Sequence, residues 1–162
     1  MNAAVRRKNM GTTFVSLNET ASANEIGFWV RDSILELWLR LLALHISEPT
    51  DLNTVAHKIR NQWLLASRGY FGGHVPHDLH NAISTLDGRE IVNRAIDSLM
   101  SSLATAPPEL NGATLNLLGM EGHFQNTITT QRLIDVGNAF RDLLAGNITC
   151  TVESTEFMPG ST

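Results

Sequence analysis

The run from Ile26 to Ile46, IGFWVRDSILELWLRLLALHI, constrains the fold more than any other part of the chain. It is apolar enough to raise the question of a membrane span, yet it contains Arg31, Asp32, Glu36 and Arg40. Each of these charges at bilayer depth costs a few kcal/mol, so the run reads as a buried helix of a soluble protein. Asp32, Glu36 and Arg40 follow one another at i, i+4 and form one narrow polar stripe on a helix that is apolar nearly all round. The helix is expected from about Asn24 to Ile46, ended by Pro49, which pushes Glu48 out of the α region.

Further helices follow from capping chemistry and period. Thr50 or Asp51 caps a second one, whose face carries Leu52, Val55, Ala56, Ile59 and Trp63 and which stops near Ser67 before Gly69. Pro76 suits the first position of a short helix to Thr85, with Asp78 in its first turn. Asp87-Gly88-Arg89-Glu90 has the form of a capping box for a helix to Ala104, with Ile91 or Val92, Ala95, Ile96, Leu99 and Leu103 facing inward. Residues 113–126 lack a convincing period and read as a loop, with a short strand at Thr114 to Leu118. Thr129 or Thr130 caps a last helix to Ala145 with Leu133, Ile134, Val136, Phe140, Leu143 and Leu144 inward.

The fold class implied is mainly α: a single-domain bundle of four long helices plus one short helix. Small terminal strands are expected at TTFVSL and in the tail ITCTVESTEF, the second as an edge strand from the alternation of Ile148, Cys150 and Val152, with a pairing of the two left open. Residues 1–23 read as a mobile or weakly structured segment and 24–162 as one helical domain, a size that suits a single core.

Twelve basic against sixteen acidic residues give a formal net charge of -4. That balance repels phosphate backbones and anionic bilayers, so neither nucleic acid nor membrane is an expected partner. The single cysteine, Cys150, cannot close an intramolecular disulfide, and the basic cluster at Arg6, Arg7 and Lys8 is followed by no apolar run, which fails as a secretory signal. Both point to the cytoplasm.

The densest chemistry lies in RGYFGGHVPHDLH, residues Arg68 to His80. With a helix from Pro76, His77 and His80 fall one turn apart on one face, a workable spacing for zinc, with His74 or Asp78 as a third ligand. Against that, no HExxH or paired CxxC accompanies them. GYFGG before a helix start offers free amides for an anion, with Arg68 adding charge, but the glycine spacing matches no phosphate loop. The bland alternative is a Gly-rich connector that reverses the chain. Tyr70 and Phe71 are the residues that helical patterning explains least, and an aromatic pair on a loop is a typical recognition anchor unless Phe71 folds back to plug the helix ends.

Elsewhere Glu121 and His123 form a weak acid–base pair, and Cys150 has no neighbouring base in the sequence. Trp29, Trp38 and Trp63 read as core or interface anchors, and His45 and His57 as structural or solvated. The sequence therefore favours a non-catalytic protein-binding domain, small and acidic in the manner of an inhibitor, immunity or adaptor protein. Its contacts would be Arg68, Tyr70, Phe71, His74 and His77, or a homodimer through the first helix, with no cofactor. The alternative is a small metal-dependent enzyme with zinc on His74, His77 and His80.

Overall fold

The computed structural model describes residues 11–18, 24–47, 54–120 and 127–162. The basic cluster at Arg6, Arg7 and Lys8, the stop at Pro49, the cap at Thr50 or Asp51, Leu52, and the Glu121 and His123 pair lie outside the described residues.

The run that reads as one helix is in fact two elements. Strand β2 takes Gly27–Arg31 and helix α1 takes Asp32–Leu44. Strand β1, Thr12–Ser16, pairs antiparallel with β2 in the register Phe14↔Trp29 and Val15↔Phe28. A short apolar run has no period that separates a buried strand from a buried helix; aromatic and β-branched residues are compatible with the strand, and pairing with β1 decides for it. Val15, Phe28 and Val30 are wholly buried, while Phe14 and Trp29 meet edge to face across the pair at 5.3 Å.

Gly27 permits the close approach: a Cβ there would lie 2.1 Å from the Val15 carbonyl oxygen. Gly27→Ala is therefore expected to cost about 1–3 kcal/mol, because the backbone oxygen it meets cannot step aside as a flexible side chain would. A urea midpoint shift at unchanged slope checks it.

Helix α2 spans Val55–Ala66, capped by Thr54, whose hydroxyl accepts from the His57 amide. A short α3, Leu79–Ala82, precedes the long α4, Leu86–Thr105. Then come β3 (Glu109–Leu110), α5 (Gly112–Leu117), β4 (Ile128–Thr129) and α6 (Thr130–Leu144). Strands β3 and β4 pair antiparallel. Among the described residues there are thus six helices and two small antiparallel strand pairs, a small mixed α/β arrangement instead of four long helices and one short one.

The departures have local causes. The segment read as a loop from residue 113 starts as a helix because Asn111 caps it, its side chain accepting from the Thr114 amide at 2.9 Å. Helix α4 starts at Leu86, not inside the Asp87 box, because the Thr85 hydroxyl takes the Gly88 amide at 3.0 Å and a Cβ on Gly88 would meet the Ala82 carbonyl at 2.0 Å. The terminal segment does not pair with TTFVSL; Gly27 donates to the Cys150 carbonyl, an isolated bridge joins Ile26 to Thr151, and β1 pairs with β2 instead.

Helix α1 supplies the centre of the core. Ile34, Leu35, Leu37, Trp38, Leu39, Leu42 and Ala43 are each no more than 1% exposed, so its apolar surface is spent inside the chain. Phe140 of α6 joins Trp38 at 5.5 Å and Phe28 at 5.8 Å. No helix among the described residues is long and apolar enough to cross a membrane.

Candidate functional site

The stretch after α2 begins as a turn. Gly69 and Gly73 adopt φ of 86° and 84°, the left-handed region that favours glycine, so the chain reverses between them. The Phe71 carbonyl accepts from the His74 amide at 3.0 Å and closes that turn. Arg68, Tyr70 and His74 are exposed, Tyr70 at 76%, whereas Phe71 is half-buried. The two rings therefore divide, one toward solvent and one partly toward the protein.

Beneath the turn the chain is held by one buried carboxylate. Asp32, the first residue of α1 and 6% exposed, accepts from the Gly73 amide at 2.6 Å on Oδ2 and from the Thr13 hydroxyl at 2.6 Å on Oδ1. The Thr13 oxygen in turn accepts from the Val75 amide at 2.9 Å. A helix N-terminus, a strand and a loop are thus joined at a single acid, whose charge is favoured by the positive end of the α1 dipole. One turn along, burial and then the charge of Asp32 push the Glu36 carboxyl up to about 7. Arg40 completes the stripe on different partners: Nε donates to the Leu118 carbonyl and NH1 to the Ser67 hydroxyl at 3.1 Å.

The histidines take separate roles. The short helix does not start at Pro76, because Asp78 lies at φ 50°, and an αL residue cannot carry a helix back through it; α3 begins at Leu79. His77 therefore precedes the helix instead of sharing a face with His80. Its Nδ1 accepts from the Leu79 amide at 3.1 Å and its Nε2 faces the Phe14 carbonyl at 3.4 Å, a pairing that requires the proton on Nε2. Burial pushes its pKa down to about 4, the Phe14 carbonyl opposing and the His74 charge assisting. His80 Nδ1 reaches the Leu17 carbonyl at 3.2 Å. Two histidines thus reach one carbonyl within β1, at Phe14, and one just after it, at Leu17, which helps to cover that side of the strand.

The zinc expectation on His74, His77 and His80 loses its geometry here, since both ring nitrogens of His77 are engaged by backbone. Among the described residues no group of three or more His, Cys, Asp or Glu could hold a metal ion.

Two concavities flank the segment and share Asp78 as a wall. One, of about 660 Å³, runs between the β1–β2 pair and the 73–80 segment, with Phe14, Trp29, Gln62, His74 and His80 on its walls. The other, of about 280 Å³, lies between α2 and the turn into α4. Trp29 also anchors the terminal segment, donating its indole N–H to the Val152 carbonyl at 2.8 Å.

Sequence reasoning picked out the exposed loop residues but missed what holds them, Asp32 and Thr13. The available signal was the polar stripe itself: charges repeating at i, i+4 on a helix with no solvent face must be bonded inside. No family model matches the chain, and neither a curated protein nor a solved structure does.

Proposed function

We propose that the chain is a non-catalytic protein-binding domain whose recognition element is the Arg68–His74 turn. The observation that carries this reading is Tyr70: a large aromatic at 76% exposure on a loop whose stem is bonded into the core through Gly73 and Val75. A ring held out on a fixed stem loses little conformational entropy on binding, which is what makes tyrosine an effective anchor. Arg68 and His74 beside it add polar contacts, and half-buried Phe71 supports the turn. His77 belongs to the support and not to the contact surface, because its ring nitrogens face the chain's own backbone. The formal net charge of -4 favours a protein partner over nucleic acid. Self-association through α1 is not part of the proposal, since that helix is packed within the fold.

Tyr70→Ala tests this reading. Folding stability is expected to stay within about 0.5 kcal/mol of wild type, as for an exposed residue whose side chain makes no hydrogen bond among the described residues. Affinity for the partner is expected to fall by more than about 1 kcal/mol. The assay is affinity capture from native cells with both proteins, scored for a species retained in stoichiometric amount by wild type and lost by the variant. Equal retention by both removes the turn from the interface.

A further inference from the structure

The smaller concavity has a composition that the protein-binding reading does not use. Its floor and inner walls are Val55, Ile59, Trp63 and Ala82, of which Ile59, Trp63 and Ala82 are at most 6% exposed. Its rim carries one side chain of each charge, Lys58 and Asp78, together with the hydroxyls of Ser84 and Thr85.

The charges sit apart. Trp63 Nε1 donates to the His77 carbonyl at 2.9 Å and Gln62 to the Pro76 carbonyl at 3.0 Å, which fixes the Asp78 end against the last turns of α2. Lys58 lies more than a helical turn earlier on α2, toward its Val55 end. Among the described residues no ion pair engages Lys58. Asp78 receives Asn81 Nδ2 on Oδ1 at 2.7 Å, and no hydrogen bond among the described residues reaches its Oδ2.

Asp78 is also the only non-glycine at positive φ among the described residues. Such a conformation costs free energy and persists where the surroundings hold it, here by the backbone bonds on either side at His77 and Leu79. Asp78 lines the rim of this cavity, and Asn81, which donates to its Oδ1, lines it too.

From this placement we infer that the cavity is a site for a free apolar α-amino acid of the size of leucine or isoleucine. The aliphatic side chain enters between Ile59, Trp63 and Ala82, the ammonium meets Asp78, and the carboxylate meets Lys58 with the Thr85 hydroxyl, whose oxygen accepts from the Gly88 amide; the Ser84 hydroxyl already donates to the Asn81 carbonyl. The volume of about 280 Å³ lies just below the usual range of ligand sites, roughly 300 Å³ upward, and suits a small ligand. An apolar floor between opposite charges also discriminates: a ligand with only one charged group leaves the other rim charge without a partner.

The test is titration of the full chain with L-leucine, followed by amide shifts in two-dimensional NMR and by calorimetry. Saturable binding with shifts centred on Ile59, Trp63 and Ala82 is expected. N-acetyl-leucine, which lacks the ammonium, and leucinamide, which lacks the carboxylate, should each bind about tenfold more weakly. Lys58→Gln and Asp78→Asn should each weaken leucine by about the same factor, and Asn tolerates αL so that the turn persists. Absence of saturation at millimolar leucine overturns the assignment, as does equal binding of leucine and its two blocked forms. Neither failure touches Tyr70, which lies outside the cavity.

Discussion

Asp32→Ala is expected to destabilise the fold by about 3 kcal/mol and to release the recognition turn from its stem. Each of the two bonds to this carboxylate is charge-assisted, and such bonds contribute about 1.5–3 kcal/mol apiece. Their loss is partly offset, because removing the Asp32 charge relieves the like charge that helps to raise Glu36. The Thr13 hydroxyl keeps its bond from the Val75 amide but loses its acceptor, while the Gly73 amide is left without one.

The two consequences separate experimentally. Urea unfolding reads the global loss, and hydrogen exchange reads the local one: the Gly73 and Val75 amides should exchange faster in the variant, at a denaturant concentration where α4 amides remain protected. Asp32→Asn retains one acceptor but sets an NH₂ against a donor, and it should lose roughly half as much. If Asp32→Ala leaves both midpoint and exchange unchanged, the carboxylate does not hold the turn, and the exposed ring of Tyr70 loses the rigid stem on which its role depends.

That dependence shows where sequence was a sufficient guide and where it was not. The inward faces of α4 and α6 were legible because each repeats at helical spacing over about three turns: Val92, Ala95, Ile96, Leu99 and Leu103 on one, Leu133, Val136, Phe140 and Leu143 on the other, are all buried. The β2–α1 boundary was not legible, since Phe28, Val30, Ile34 and Leu35 are all buried and the short apolar runs on either side of Arg31, Asp32 and Ser33 fit strand and helix alike. What selects the strand is long-range: the Val15 carbonyl and the Phe14 ring, neither visible in the local pattern.

The site divides in the same way. Tyr70 stood out in the sequence because glycines surround it and no period explains it. The histidines misled because crowding in sequence was read as proximity of ring nitrogens, whereas a single αL residue, Asp78, separates His77 from the helix that carries His80. The stripe Asp32, Glu36 and Arg40 was correctly spaced, yet its partners lie far off in sequence at Thr13, Gly73, Ser67 and Leu118. Polar groups in a buried position announce that partners exist without saying which they are.

The two largest displacements of titration, at Glu36 and His77, lead to the second large expectation, a cancellation that single substitutions unmask. His77 has its pKa lowered from 6.5 to about 4, so the unfolded chain holds a proton in that window that the folded chain lacks. Its contribution is fully present above pH 6.5 and is lost as pH falls toward 4. Glu36 has its pKa raised from 4.5 to about 7, so the folded chain holds the extra proton. Its contribution is fully present below pH 4.5 and is lost as pH rises through 7.

Each effect amounts to about 3 kcal/mol over its window, and the slopes are opposite where the windows overlap. Between pH 4.5 and 6.5 the two should cancel, leaving the wild-type curve without a slope from either group. Glu36→Gln, which keeps the shape but cannot ionise, should expose the histidine alone, with stability rising across that range and level at higher pH. His77→Asn, whose carboxamide oxygen can still accept from Leu79, should expose the carboxyl alone, with stability falling toward pH 7. The double variant, in which neither group is left to titrate, should likewise show no slope from these two positions. Urea midpoints for the four proteins at half-unit steps from pH 4 to 8 measure this directly. Curves for Glu36→Gln and wild type that run parallel throughout would mean that the carboxyl ionises in its ordinary range. The interior beside Asp32 would then tolerate a second negative charge.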